Sequence, residues 1–230
     1  MKSILDFLLK INELKGKRRR GWGFHKIKNA ETTAEHIFHL AIMVWMLGKD
    51  KDINMEKAIK MALIHDICEV YAPDFTSYDA KAIPEKGRIT EKQLLKIKPK
   101  KGRPTHIQRI KMEKIKQKLE EKAMKKILSK LEPDIKSEIK NLWDEYQRGT
   151  TKEARFVRQI DKINNFLQGI IYWSKYGKIE YNLWLIRIKE VIDDPVILDF
   201  LEEIEKLIIY PKLKELDKNK KINKNLNKIY

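Results

Sequence analysis

A single cysteine, Cys68, serves the whole 230-residue sequence. That excludes an internal disulfide framework and any zinc or iron–sulfur site built on several thiolates, and it fits a reducing compartment. No apolar run approaches the ~20 residues that cross a bilayer. The opening stretch, Met1 to Lys10, is interrupted by Asp6 and offers no small-residue cleavage site, so it is not read as a signal peptide. A cytoplasmic protein with no membrane association is expected. Aromatic residues are missing between Tyr78 and Trp143, which leaves that stretch no platform on which single-stranded bases could stack. Strand-type alternation is missing as well.

What is abundant is positive charge, with 50 Lys+Arg against 33 Asp+Glu and a formal net charge of +17. Hydrophobic residues make up 42% of the chain, too many for a disordered polyelectrolyte. A charge of this size suggests nucleic acid, but it is unevenly placed. Residues 81–130 carry +13, residues 212–230 carry +5, and the rest of the chain carries −1. The basic character belongs to one internal segment and one tail. High Lys, Glu and Ile with little Gln also fits a heat-adapted source, where surface ion pairs account for part of the charge.

The neutral part reads as helices. Ser3 is a candidate cap for a first helix with Ile4, Phe7, Leu8, Ile11 and Leu14 inward. Thr32, Thr33, Ala34 and Glu35 form a capping-box pattern, followed by Ile37, Leu40, Ala41, Val44 and Leu47 on one face. Asn54 caps a helix expected to run to about Tyr71. Thr105 starts a long lysine-faced helix with Ile107, Ile110, Ile115, Leu119, Ile127 and Leu131 along one side. Pro133 opens another to about Gln147. Gly149 breaks it, and Thr150 or Thr151 starts a long helix to about Lys175. Residues 180–192 and 195–209 give two more. The expectation is a single all-α domain of six to eight helices over residues 1–211, with a basic, frayed tail over 212–230.

Two of the five histidines lie near carboxylates in helical stretches. His65 and Asp66 are adjacent, and Glu69 lies one turn on within the apolar run Met61 to Val70. Buried carboxylates and imidazoles are costly unless they are paired or bind a cation, and this donor set suits Mn, Co, Fe or Zn. A core histidine bonded to its neighbouring carboxylate is the plainer alternative. His36, just inside a capped helix, and Asp161, between Ile160 and Ile163, add two further donors.

His36, His65–Asp66 and Asp161, in this order, resemble the H…HD…D pattern of the HD superfamily of metal-dependent phosphohydrolases, and more narrowly its 5′-deoxynucleotidase branch. The supporting stretches are Arg19 to Trp22, Glu31 to His36, Ala62 to Val70 with Asp74 beyond, Leu142 to Tyr146 and Glu153 to Asp161. The resemblance covers about residues 1–80 and 117–205. It implies one divalent metal ion (Mn, Co, Fe, Zn or Mg) held by His36, His65, Asp66 and Asp161. It also implies hydrolysis of a deoxyribonucleoside 5′-monophosphate. Glu69 and Asp74 are then the catalytic carboxylates, Arg19 (with Arg20 as the alternative) the phosphate-pairing arginine, and Trp22 the residue packed near the sugar. A homodimer is implied too. His39 is expected near the ligands without being one, His25 and His106 at the surface, and Trp143 and Tyr146 in the core.

The likeness lapses from about Ile83 to Gln117, an insertion that carries much of the positive charge. Following closely on Asp74, it is expected to form a lid. A basic lid leaves open a more highly phosphorylated nucleotide, or recruitment to nucleic acid through the insertion and the tail.

Overall fold

The computed structural model describes residues 1–177, 179 and 181–226, with the backbone alone for Leu183 and 219–226. Its helices are α1 (Lys2–Ile11), α2 (Arg20–Phe24), α3 (Thr33–Gly48), α4 (Met55–Ile64), α5 (Ser77–Ala82) and α6 (Glu91–Leu95). They continue with α7 (His106–Ile127), α8 (Pro133–Arg148), α9 (Lys152–Tyr176), α10 (Tyr181–Val191), α11 (Pro195–Ile204) and α12 (Tyr210–Leu226). Among the described residues there is no strand, only an isolated bridge between Arg18 and Thr32. The fold is all-α. The twelve segments exceed the expected six to eight because α2, α5 and α6 are only five or six residues long, too short for a helical period to show, and because α12 runs through the tail expected to be frayed.

The expected caps at Thr32, Asn54, Thr105 and Thr151 are in place. Thr32 Oγ1 accepts from the Glu35 amide (3.2 Å) while Glu35 Oε2 accepts from the Thr32 amide (2.6 Å). Asn54 Oδ1 takes the Lys57 amide and Thr151 Oγ1 the Ala154 amide. Gln108 closes the box on Thr105, and its amide nitrogen also donates to the Ile83 carbonyl (2.8 Å). Ser3, by contrast, is not the first cap: α1 begins two residues earlier than that cap would start it, at Lys2 after Met1, and Leu8 faces solvent.

α9 is the central element. Phe156, Val157, Ile160, Ile163, Phe166 and Ile170 are all buried in the largest apolar cluster, with α3, α4 and α8 packed around it. A second cluster joins Leu14, Ile67, Cys68, Met124, Leu128 and Trp143. A third, small one consists of Phe75, Ala80, Ile83, Leu94 and Met112. The insertion therefore has a core of its own. Ile107 and Ile110, expected inward, are exposed, because the first turns of α7 instead turn Gln108 and Met112 inward. The tail continues as α12 through Leu226, and residues 227–230 lie outside the described residues.

Gly149 ends α8 in the left-handed conformation, φ +63°. A Cβ there would come within 2.9 Å of Arg158 Cδ, and Arg158 caps α8 by donating to the Tyr146 and Gln147 carbonyls. Gly149→Ala is expected to cost about 1–2 kcal/mol, from the penalty of that conformation for an L residue. In a thermal melt this lowers the midpoint by about 3–6 °C. An unchanged midpoint would mean the turn can relax.

Candidate active site

A cavity of about 200 Å³ is lined by Arg19, Asp66, Glu69, Asp74, Tyr146 and Asp161, with His36 and His65 beside it against Asp161 and Asp66. Glu113, Lys116 and Glu120 of α7 also line it, with Gln147, Arg158 and Lys162 completing the wall. His36 rides on the first turn of α3, one turn past the capping box. His65 ends α4: its carbonyl receives Trp143 Nε1 (3.2 Å), and Asp66 leaves helical geometry at φ −111°. The expected helix to Tyr71 therefore stops at Ile64, and a 3-10 turn, Ile67–Val70, carries Glu69. His65 and Glu69 are therefore not one turn apart on a single helix, as the spacing suggested. Glu69 reaches the cavity because the tighter turn bonds its amide to the Asp66 carbonyl.

His36, His65 and Asp161 each offer a ligand atom, all within 4.8 Å of one another. His36 Nε2 lies 3.1 Å from Asp161 Oδ1 and His65 Nε2 lies 3.1 Å from Asp66 Oδ2. Yet both buried Nε2 atoms lack a hydrogen bond of acceptable geometry. His65 Nδ1 faces the Ala62 carbonyl at 2.8 Å. A carbonyl only accepts, so Nδ1 carries a proton. Burial opposes a charge on this ring, but Asp66 and then Asp161 outweigh it and raise the imidazole above its usual range; in a neutral ring Nε2 would offer its lone pair to a cation. Buried polar atoms left without partners need an explanation. Two imidazole lone pairs beside a carboxylate are the donor set a divalent cation requires, so the residues fit a metal.

The surroundings hold these groups in place. The Asn164 amide lies between His36 Nδ1 (3.2 Å) and His39 Nδ1 (2.7 Å), which makes His39 a support for the first imidazole. Asn165 bonds Asp161 Oδ1 at 2.9 Å. Burial, then the Arg19 charge, hold His36 below the usual imidazole range. Burial raises Asp161, but the His36 and His65 rings beside it outweigh this and bring it down to about 2.

Arg19 is the hub of the carboxylates. Its guanidinium meets Asp66 at 2.7 Å, Asp74 at 3.7 Å and Glu69 at 3.8 Å, and donates to Asn165 at 3.0 Å. Arg20 points elsewhere, bonding Asp79 (2.8 Å) and the Ile97 carbonyl (3.0 Å), while its amide donates to Asp74 (3.0 Å). Of the two arginines, Arg19 is the one in the cavity. Glu69 is buried, with Thr33 Oγ1 donating to it at 2.9 Å. Burial, then the charges of Asp66 and Asp74, push its carboxyl well above the usual range.

Trp22 does not line this cavity. Its indole is buried against Tyr172 and Trp184, and Nε1 donates to Glu31 (2.8 Å). His25, expected at the surface, is half-buried beside Tyr78 (2.9 Å), whereas His106 is exposed. Trp143 packs in the core as expected. Tyr146 does more, since its hydroxyl reaches Asp161 Oδ2 (3.5 Å) and its ring lies edge-on to His65.

With this geometry established, the kinship is plain. Residues 11–194 match the HD-domain family. The chain belongs to the HD-domain family. The 5′-deoxynucleotidase HDDC2 of Xenopus laevis is 30% identical over 172 residues, 74% of this chain and 70% of that protein. The 5′-deoxynucleotidase hdd1 of Schizosaccharomyces pombe is 31% identical over 179 residues, 76% and 75%. The HD-domain fold is shared with the PH0347 protein of Pyrococcus horikoshii, at a TM-score of 0.64 and 23% identity over 88% of this chain and 99% of that one.

Several lining residues of this HD domain were not read from the sequence. Asn164–Asn165, a polar pair one turn after Asp161 on an otherwise apolar face, carried a usable signal. Lys116 and Glu120 did not. They stand among many charges on α7, and only the packing of that helix turns them inward.

Proposed function

We propose that this chain is a divalent-metal-dependent phosphohydrolase that removes the 5′-phosphate from deoxyribonucleoside 5′-monophosphates. The observation that carries the reading is the pair of unpartnered buried Nε2 atoms converging with Asp161 beside the Arg19-bound carboxylates. The names of its HD-domain relatives support the substrate class. His36, His65 and Asp161, with Asp66 alongside, would hold the cation, with Mn or Co as the proposed ions. When bound, it supplies charge to the phosphoryl oxygens and lowers the pKa of water.

The chain's own residues do the rest. Glu69, made a stronger base by burial, takes the proton of the attacking water as its carboxylate or orients that water. Asp74, held by the Arg20 amide, positions the nucleophile or protonates the leaving oxygen. Arg19 keeps the three carboxylates apart and in place. Trp22 backs the segment carrying Arg19 from the core side. The test is a phosphate-release panel of deoxy- and ribonucleoside 5′- and 3′-monophosphates with Mn, Co and Mg. If other phosphate esters are hydrolysed and no deoxynucleoside 5′-monophosphate is, the substrate assignment falls.

Lys116 is the proposed phosphate contact. Arg19 is occupied by Asp66 and Asn165, and Arg158 by backbone carbonyls. Among the described residues Lys116 has Glu120 at 3.4 Å as its ion-pair partner, and Lys162, the other lysine on the lining, is pushed down by burial and then by the Arg158 charge. Burial opposes its charge, but Glu120 and then Asp66, Asp74 and Glu69 outweigh that and keep it protonated. The insertion thus supplies a wall and a cation rather than only a cover. Lys116→Met is expected to raise KM about tenfold with a smaller change in kcat, the loss of one charge-assisted contact. The exposed neighbours Lys114 and Lys118 serve as controls, and equal effects at all three would refute the assignment.

The same reading includes a cytoplasmic homodimer. No helix among the described residues is long and apolar enough to cross a membrane. Phe38, Ile42, Trp45 and Met46 form an exposed apolar stripe on one side of α3, spaced as a helix–helix contact requires. Trp45→Glu is expected to give monomers in equilibrium sedimentation. Monomeric wild type would remove the dimer from the proposal.

A further inference from the structure

A second cavity, of about 270 Å³, shares no lining residue with the first. Its aromatic wall is made by Phe24, His25, Tyr78 and Trp184. Phe24 and Tyr78 are stacked at 4.1 Å and 24°, and His25 stands edge-on to both and to Trp184. Three cations from separate parts of the chain also line it: Lys101 and Arg103 from the insertion, and Arg187 from α10. Among the described residues Glu190 is the one carboxylate on the lining.

We propose that this cavity is a nucleotide-binding site. A planar base fits against the aromatic wall, and its phosphates fall to Lys101, Arg103 and Arg187. The catalytic cavity is crowded with carboxylates, whereas this one has an excess of positive charge and a hydrophobic face, the pairing that a base carrying phosphates satisfies. The insertion has no aromatic residue of its own, and the fold supplies the missing rings from α2, α5 and α10. The site also touches the catalytic elements. α2 runs from its cap Arg19 to Phe24, Tyr78 stands at the start of α5 four residues after Asp74 in the sequence, and Trp184 lies 5.6 Å from Trp22. Occupancy is therefore placed to bear on the position of Arg19.

The test is a titration of the full-length protein with dATP, followed by tryptophan fluorescence and checked by calorimetry. Quenching by dATP is expected, with affinity about tenfold weaker in an Arg103→Ala/Arg187→Ala variant. Melting and circular dichroism should show the variant folded, and Lys116→Met should keep the wild-type affinity. The proposal is overturned if the folded double variant binds as tightly as wild type, or if Lys116→Met loses binding, which would put dATP in the catalytic cavity. Tripolyphosphate binding as well as dATP would show the rings to be irrelevant. Affinity rising with the length of single-stranded oligonucleotides would make the surface a strand contact instead. None of these readouts depends on phosphatase activity.

Discussion

His65→Ala is expected to abolish retention of manganese or cobalt and to reduce phosphate release about a thousandfold or more, since the cation contributes several kcal/mol of charge stabilisation. His65 Nε2 is buried without a hydrogen bond, 3.1 Å from Asp66 Oδ2, and Nδ1 faces the Ala62 carbonyl, so in the proposed reading the lost group acts as a ligand rather than as a member of a hydrogen-bond network. The fold should survive, because the Trp143 bond runs to the His65 backbone carbonyl, which alanine keeps. A melt checks this, and His106→Ala, at an exposed position, is the control. Metal content and activity should fall together. A folded variant that retains both would disprove the ligand assignment.

Glu69→Gln is the second large effect. Glutamine preserves the volume, and its carbonyl can still accept from Thr33, so the change removes the proton-accepting ability and little else. A loss of about a hundred- to ten-thousandfold in kcat is expected, the range for general acid–base groups. KM and metal content should stay near wild type. The split distinguishes this variant from His65→Ala, in which metal is lost, and from Lys116→Met, in which KM moves. If kcat is unchanged, Glu69 is merely a buried carboxylate paired with Arg19, and Asp74 becomes the candidate base.

The helical class and most element starts were legible because caps and breakers are local: Thr32 with Glu35, Asn54, Thr105, Gly149. The end of α4 was not, because a tertiary bond from Trp143, 78 residues away, accompanies it. His36, His65 and Asp161 stood out as polar residues amid apolar neighbours, and the structure brings them together. Arg19 and Arg20 could not be separated by composition. Their directions are set by partners in distant segments, Asp66 and Asn165 for one, Asp79 for the other. Only the first turns of α7 were misjudged, for the same reason: Ile107 and Ile110 are exposed, whereas Ile115, Leu119, Ile127 and Leu131 pack inward as expected. Isoleucines along a lysine-rich helix suggested the buried face, but Gln108 won it by bonding two carbonyls of the preceding segment.

The small third core has a dynamic consequence. Phe75, Ala80, Ile83, Leu94 and Met112 form a cluster separate from the bundle centred on α9. Arg20 ties the segment to the rest through Asp79 and the Ile97 carbonyl. A unit with so few buried side chains opens at lower free energy than the bundle beneath it. The annex can therefore breathe while His36, His65 and Asp161 stay fixed. Since α7 runs from this annex into the wall bearing Lys116, an opening of the annex would displace one side of the cavity and leave the His36, His65 and Asp161 cluster in place.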